Sequence, residues 1–410
     1  MGRNLNWKNI LSSLRNGVIP DEGIQFFEVG RDYEIKEFDK VINNLSRKSD
    51  CKFISGGFGD GKSFFLKSIN EKTLSKKFVV STVTITPNIS LNNLDEIYIN
   101  IMRNLRCKNA NSFSQIVNKW ITSLNNKASK KFPDNISKQR KFVEDEIYSS
   151  LSQVRNHNPT FADIIKKFYE FSNGSKSDIA DYGLNWLTGD SISQSVKKEF
   201  GLKGDIDKSN ALHYIETLSI FFKAIGYSGF VILFDECEIT MDLSVNYRNT
   251  AYNNIRDIYD KASSNVFKST LFVFAGTPVW FDDSRVGIRS NPALYSRIKD
   301  PISGTSAKFQ KPIINLAKFS KNDLMKLCRK ISIVYENVYG EESPNKLSPY
   351  VSEIVEPYLT DDFIDNSSLR DFIREYVAYL DVVRENPNDF KVRPDFINLI
   401  SGVENDDDWL

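Results

Sequence analysis

The stretch Phe53–Ile69, FISGGFGDGKSFFLKSI, constrains this chain more than any other. Gly56, Gly61, Lys62 and Ser63 fill the pattern G-x-x-x-x-G-K-[ST], a loop that wraps phosphate. Glycine lets the backbone turn tightly and aim its N–H groups at a polyanion, where a bulkier chain would clash. Gly57, Phe58, Gly59 and Asp60 complete the loop, and Phe64 follows it. Lys62 brings positive charge to the β- and γ-phosphates, and the Ser63 hydroxyl is a ligand for the Mg²⁺ that accompanies ATP. Phe53-Ile54 fits the end of a strand. Phe65, Leu66 and Ile69 recur at helical spacing, which puts the phosphates at the positive end of a helix. A glycine-rich stretch can also be a plain turn; the strand-like and helix-like flanks favour the phosphate loop.

A second stretch, GFVILFDE over Gly229–Glu236, is an apolar strand ending in two acids. A strand apolar on both faces belongs inside a covered parallel sheet, and ligands of such sheets bind beyond the carboxyl ends of the strands. Asp235 is then placed to hold Mg²⁺, directly or through water, and Glu236 to orient or deprotonate an attacking water. The alternative is that the two acids only cap the next helix. FVVSTVTI (Phe78–Ile85) reads as a strand, and Leu94–Leu105 as a helix with one apolar face. Strand, phosphate loop, helix, strand, helix begins a parallel sheet with crossover helices.

After a helix over 247–262, TLFVFA (Thr270–Ala275) is a third apolar strand, ending at Gly276-Thr277-Pro278. Thr277 is a candidate sensor of the γ-phosphate; ordinary turn chemistry explains it equally well. In RVGIRSNPALYSRIKD (Arg285–Asp300), Arg297 could stabilise charge on a transferring phosphate from its own or a neighbouring subunit, or make a surface salt bridge. From residue 310 the pattern is helical, with Ser320-Lys321-Asn322-Asp323 resembling a capping box. A later helix is expected near Ser367-Ser368 with Arg370 and Arg374 at its start, where a basic residue needs a compensating partner. The acidic tail Glu404–Asp408 is expected to be disordered.

A chain of 410 residues, 40% hydrophobic and 26% charged, can bury a sizeable core over two or three domains. Its net charge of +1 gives no global sign of a nucleic-acid or membrane binder. Residues 107–208 are polar, with helical patches near Ile116–Trp120, Phe142–Leu151 and Ile164–Phe171. There Lys119, Lys127, Lys130, Lys131, Lys138, Arg140 and Lys141 alternate with Trp120, Phe132 and Phe142. This is material for a nucleic-acid surface, or a solvated helical insertion, the reading favoured here. Cys51, Cys107, Cys237 and Cys328 form no C-x-x-C pair and suit buried or incidental thiols in a reducing cytoplasm. With only His157, in a polar loop, and His213, in a helix, a histidine metal site has little to work with, and both are taken as non-catalytic. No apolar run or secretory leader suggests a membrane.

Together these residues resemble an AAA+-type P-loop ATPase. More narrowly, the chain is similar to the BREX phage-defence ATP-binding (BrxD-like) family. The likeness rests on Leu14-Arg15-Asn16-Gly17-Val18-Ile19-Pro20, Val29-Gly30-Arg31-Asp32, and the phosphate loop with Phe64-Phe65-Leu66. It continues through Trp186-Leu187-Thr188-Gly189, Gly226-Tyr227-Ser228-Gly229, Phe274-Ala275-Gly276-Thr277-Pro278, Pro292-Ala293-Leu294-Tyr295-Ser296-Arg297-Ile298 and Leu369-Arg370-Asp371-Phe372-Ile373-Arg374. The resemblance implies a cytoplasmic ATPase of an anti-phage system, working with other defence proteins on or near DNA, and leaves room for a homo-oligomer. It further implies that Val29 and Arg31 pack on adenine, that Lys62 and Ser63 bind phosphate and Mg²⁺, and that Asp235 and Glu236 serve hydrolysis. Thr277 would sense phosphate, Arg297 would be the finger-like arginine and Arg370 the lid arginine.

The expected architecture is α/β: an AAA+-like three-layer P-loop NTPase core at 49–106 and 226–305. It is preceded by an N-terminal helical segment, 1–48, interrupted by a mostly helical insertion, 107–225, and followed by a helical lid with the acidic tail, 306–410. The expected activity is ATP hydrolysis, slow without partner or DNA, that switches or assembles a defence complex. The rival readings are a nucleotide-dependent scaffold with little turnover and, less well supported, a P-loop kinase.

Overall fold

The structure, a computed structural model, describes residues 5–299, 311–340 and 369–385. The acidic tail and the expected helix start at Ser367-Ser368 lie outside these residues. Along the chain come α1 (Trp7–Arg15), α2 (Asp32–Asn44), β1 (Asp50–Ser55), α3 (Lys62–Ser75), β2 (Val79–Thr84) and α4 (Leu94–Arg103). A helical stretch follows: α5 (Phe113–Lys131), α6 (Ile136–Ser150), α7 (Ser152–His157), α8 (Pro159–Ser172), α9 (Ala180–Leu187), α10 (Gln194–Phe200) and α11 (Ala211–Ala224). Then come β3 (Phe230–Asp235), α12 (Val245–Ser263), β4 (Thr270–Gly276), α13 (Pro278–Asp282), α14 (Pro292–Ile298), β5 (Ile313–Asn315), α15 (Lys321–Tyr339) and α16 (Leu369–Glu385). These fall into two compact units, Met1–Ile35 with Gly56–Ser68 and Leu316–Leu410, and Lys36–Ser55 with Ile69–Asn315.

The second unit is built on a five-stranded, all-parallel sheet in the order β2-β3-β4-β1-β5. Strands buried on both faces need continuous apolar sequence, and β3 supplies it. Phe230, Ile232 and Phe234 join the main core, while Val231 and Leu233, facing the other way, are equally inaccessible. A row of rings crosses the sheet near its carboxyl edge. Phe234 stacks on Phe274 (4.7 Å, 10°), and Phe274 on Phe53 (5.4 Å, 22°). The ladder pairs Phe234 with Phe274 and Phe274 with Phe53. A slip of one residue would turn every side chain over, so this row fixes the level at which each strand ends. The edge of β2 is closed by a two-way hydrogen-bonded bridge between Val80 and Arg106, both bonds 2.8 Å.

Two expectations are corrected here. The segment after residue 310 opens with strand β5, not helix; Phe53 N–H donates to Pro312 O (2.8 Å) as this edge strand joins β1. Helix α15 starts only at Lys321, with Ser320 as N-cap and Asp323 in its first turn forming the expected capping box, which is present in both directions. His157 lies not in a loop but on the last turn of α7.

The first unit is helical. Leu324, Leu327, Cys328, Ile331, Val334 and Tyr335 recur at the 3–4-residue spacing of one face of α15. They pack with Ile10, Leu11 and Leu14 of α1 and with Phe372, Tyr376, Val377 and Leu380 of α16. Helix α1 ends in a Schellman motif: Val18 N–H donates to Ser13 O (2.9 Å) and Gly17 N–H to Leu14 O (3.0 Å), with Gly17 at φ +65°. Beyond the turn, Arg15 grips Asp381 with both ends of its fork (3.0 and 2.8 Å), and Tyr335 donates to the same carboxylate (2.8 Å). All four cysteines are buried and unpaired, as their spacing suggests. No helix among the described residues is long and apolar enough to cross a membrane.

Candidate functional site

The chain leaves β1 at Ser55 and turns through Gly56–Gly61 into α3. Gly59 (φ +84°) and Gly61 (φ +80°) take the left-handed conformation that makes so sharp a turn possible. Inside the loop, Gly57 N–H donates to Asp60 Oδ2 (2.5 Å) and Asp60 N–H to Gly57 O (3.3 Å). The buried ammonium of Lys62 donates to the carbonyls of Gly56 (3.0 Å) and Gly57 (3.2 Å), folding its charge over the loop. Phe58 stands exposed at the tip, its ring 5.4 Å from Lys62 Nζ. Because α3 begins at Lys62, the amides of Ser63 and Phe64 fall in its first turn, where no intrahelical carbonyl reaches them.

Arg31 supports this loop from the side. Its guanidinium is 1% exposed, donates to Asp60 O (2.6 Å) and Ala317 O (2.6 Å), and lies 4.4 Å from the centroid of the Phe319 ring. Burial lowers its pKa, with Glu34, 3.8 Å away, the main opposing charge. Val29 is buried nearby in sequence, and Ser68 donates to Glu28. Phe319 and the Ala317 carbonyl were not singled out in the sequence. The signal available was an aromatic residue immediately before the α15 capping box, the position of a hydrophobic staple. Arg370, in the first turn of α16, packs against Gly17: a Cβ there would come within 2.7 Å of Arg370 Cγ.

In the other unit, β3 delivers the acids. Phe234 is level with Phe274 and Phe53, so Asp235 ends its strand level with Ala275 and Ile54, and Glu236 follows level with Gly276 and Ser55. Asp235 is 8% exposed and accepts from Glu236 N–H (3.0 Å). Glu236 sits at φ +59° and is half-buried. A non-glycine residue there carries strain of about 1–2 kcal/mol. It occupies the N-cap of the short 3₁₀ turn Cys237–Asp242 yet makes no capping bond, so capping does not account for the acid. Thr277, buried, follows β4 and precedes α13, and its side chain caps nothing either. With parallel strands about 4.8 Å apart, the end of β3 lies about 10 Å from the end of β1, with β4 and Thr277 in the interval.

Arg297 donates to Asp260 Oδ1 (2.6 Å) and to Ala293 O (2.7 Å), and the Asp260 bond raises its pKa. That is the salt bridge its sequence position also allowed. In the basic stretch, Trp120 enters the core, and Phe132 and Phe142 meet edge to face (6.1 Å) with Lys131 Nζ over both rings (5.5 and 4.9 Å). Trp120 is thus spent on packing, while Phe132 and Phe142 stay half-buried.

The chain matches, over residues 3–396, the family model described as BREX system ATP-binding protein BrxC/D. No curated protein matches it.

Proposed function

The chain belongs to the BREX system ATP-binding protein BrxC/D family, a BREX-associated ATP-binding protein in phage defence, and on that premise we propose that it hydrolyses ATP, with Mg²⁺, to switch or assemble a defence complex. The donors suit that ligand. Left-handed Gly59 and Gly61, first-turn amides and the Lys62 ammonium form a polyphosphate cradle. The Ser63 hydroxyl and Asp235 carboxylate are hard oxygens of the kind Mg²⁺ prefers. Bound ATP·Mg²⁺ supplies a γ-phosphoryl group whose charge the metal partly neutralises.

In this reading the Gly56–Ser63 loop with Phe64 binds the phosphates, Lys62 neutralises them, and Ser63 and Asp235 ligate the metal. Glu236 orients and deprotonates the attacking water, and Thr277 positions it. Arg370 is the lid arginine and Arg297 the finger-like one, which must first release Asp260. The observation that carries the proposal is the sheet order: the strand feeding the glycine loop and the strand ending in Asp235 run parallel, one strand apart, and open on one edge. The domain plan proposed with it is an N-terminal helical segment 1–48, a core at 49–106 and 226–305, an insertion at 107–225 and a helical lid at 306–410, with strand β5 of that last stretch given to the core sheet. Other BREX proteins are the partners, with DNA and a second copy of this chain as further members of the assembly.

The test is phosphate release with and without DNA and partner proteins, for wild type and Glu236→Gln, alongside ATP affinity. Hydrolysis predicts that the variant keeps ATP binding and loses at least about 100-fold in rate, the lower end of a general base's usual contribution. Equal release by both under every condition would leave the nucleotide-dependent scaffold, a reading that the pairing of Arg297 with Asp260 favours.

A further inference from the structure

The two histidines of this chain, far apart in sequence, stand together. His157 ends α7 and His213 lies in the first turn of α11, with ring centroids 4.3 Å apart. Glu216 follows His213 by three residues, on the same face of α11. One carboxylate oxygen, Oε2, lies 3.5 Å from His157 Nε2 and 3.9 Å from His213 Nδ1, and all three atoms fall within 4.8 Å of one another. A metal bound at 2.0–2.1 Å by tetrahedral N and O ligands separates them by about 3.4 Å. The observed spacings are therefore a ligand triangle that small side-chain rotations would close.

We propose that His157 Nε2, His213 Nδ1 and Glu216 Oε2 form a site for a late first-row divalent cation of the Zn²⁺ class. Three features beyond proximity support it. The buried Nε2 of His157 has no hydrogen-bond partner among the described residues, an orphan that a metal would satisfy. The other carboxylate oxygen, Oε1, is held by Lys261 Nζ (2.5 Å), which fixes the carboxylate with Oε2 toward the imidazoles. The two helices are also tied beside the site: Asn158 Nδ2 donates to Thr217 Oγ1 (3.4 Å), which donates to His213 O (2.7 Å). Two imidazoles and one carboxylate are a known zinc donor set, and exposed His213 leaves room for water at the fourth position. The Lys261 charge opposes a cation, so the affinity is modest. A bound metal would staple α7 to α11.

The test is Zn²⁺ titration of the chelator-treated full chain by calorimetry, with the Co²⁺ visible spectrum as a second readout and Mg²⁺ as a control. Wild type is expected to take up one equivalent of Zn²⁺ and give a tetrahedral Co²⁺ spectrum, with Mg²⁺ failing to compete. His213→Ala, at an exposed position, should fold normally and bind Zn²⁺ at least about tenfold more weakly, as should His157→Gln. No zinc uptake by wild type, or equal uptake by the folded His213→Ala protein, overturns the proposal. Loss of ATP hydrolysis leaves this titration unaffected, so the two readings fail separately.

Discussion

Replacing Arg31 separates two accounts of its role. The resemblance assigns this arginine to adenine, whereas its guanidinium donates to Asp60 O inside the phosphate loop and to Ala317 O. A hydrogen bond from a charged donor contributes about 1.5–3 kcal/mol. Arg31→Ala deletes two short ones and a long one to Gly30 O (3.5 Å), leaves the Asp60 and Ala317 carbonyls to find water, and empties the space over Phe319. Allowing for the desolvation cost that the buried charge no longer incurs, the net loss is about 2–4 kcal/mol. If about 2 kcal/mol of this falls on ordering the loop, phosphate ligands bind about 30-fold more weakly. Arg31→Lys should fall between, because a single ammonium cannot span two carbonyls as a planar fork does. The assay compares Kd for ATP and for inorganic tripolyphosphate in each variant, with melting curves as a folding control. Support of the loop predicts equal weakening for both ligands. Selective loss of ATP, with tripolyphosphate unchanged, would refute this reasoning and restore the adenine contact.

Ile331, fully buried in the core of α1, α15 and α16, should cost about 2–5 kcal/mol when cut to alanine, read as lower denaturant resistance. Asp205 accepts from Lys197 (2.7 Å) and Trp186 Nε1 (3.0 Å), and chiefly the Lys197 bond holds its carboxyl below the usual range. A depressed folded pKa means that this contribution is complete above the unfolded value of about 3.9 and fades as pH falls through the folded one. The melting difference between wild type and Asp205→Asn should therefore be constant near neutrality and shrink below about pH 4.

The sheet was legible because its strands are apolar runs of ordinary length, as in FVILFD and TLFVFA, and because a complete phosphate loop announces both a strand and a helix. Strand β5 was hidden: Ile313-Ile314-Asn315 is too short to show a period, and only its ladder with β1 identifies it. For Glu236 the helix-capping alternative is decided by its side chain, which makes no capping bond, and that is a fact of the tertiary fold rather than of the sequence. Likewise, no spacing rule brings His157 to His213, since that meeting depends on how α7 folds back on α11. Arg31 shows the same limit: burial and carbonyl partners, which decide what an arginine does, belong to the tertiary fold.

The most direct measurement is the structure of the chain with a non-hydrolysable ATP analogue and Mg²⁺. It should show the β- and γ-phosphates against the amides of Gly59–Ser63, Lys62 turned from the Gly56 and Gly57 carbonyls onto phosphate, and the metal on Ser63 Oγ. A nucleotide bound elsewhere, with Lys62 still donating to those carbonyls, would contradict the account.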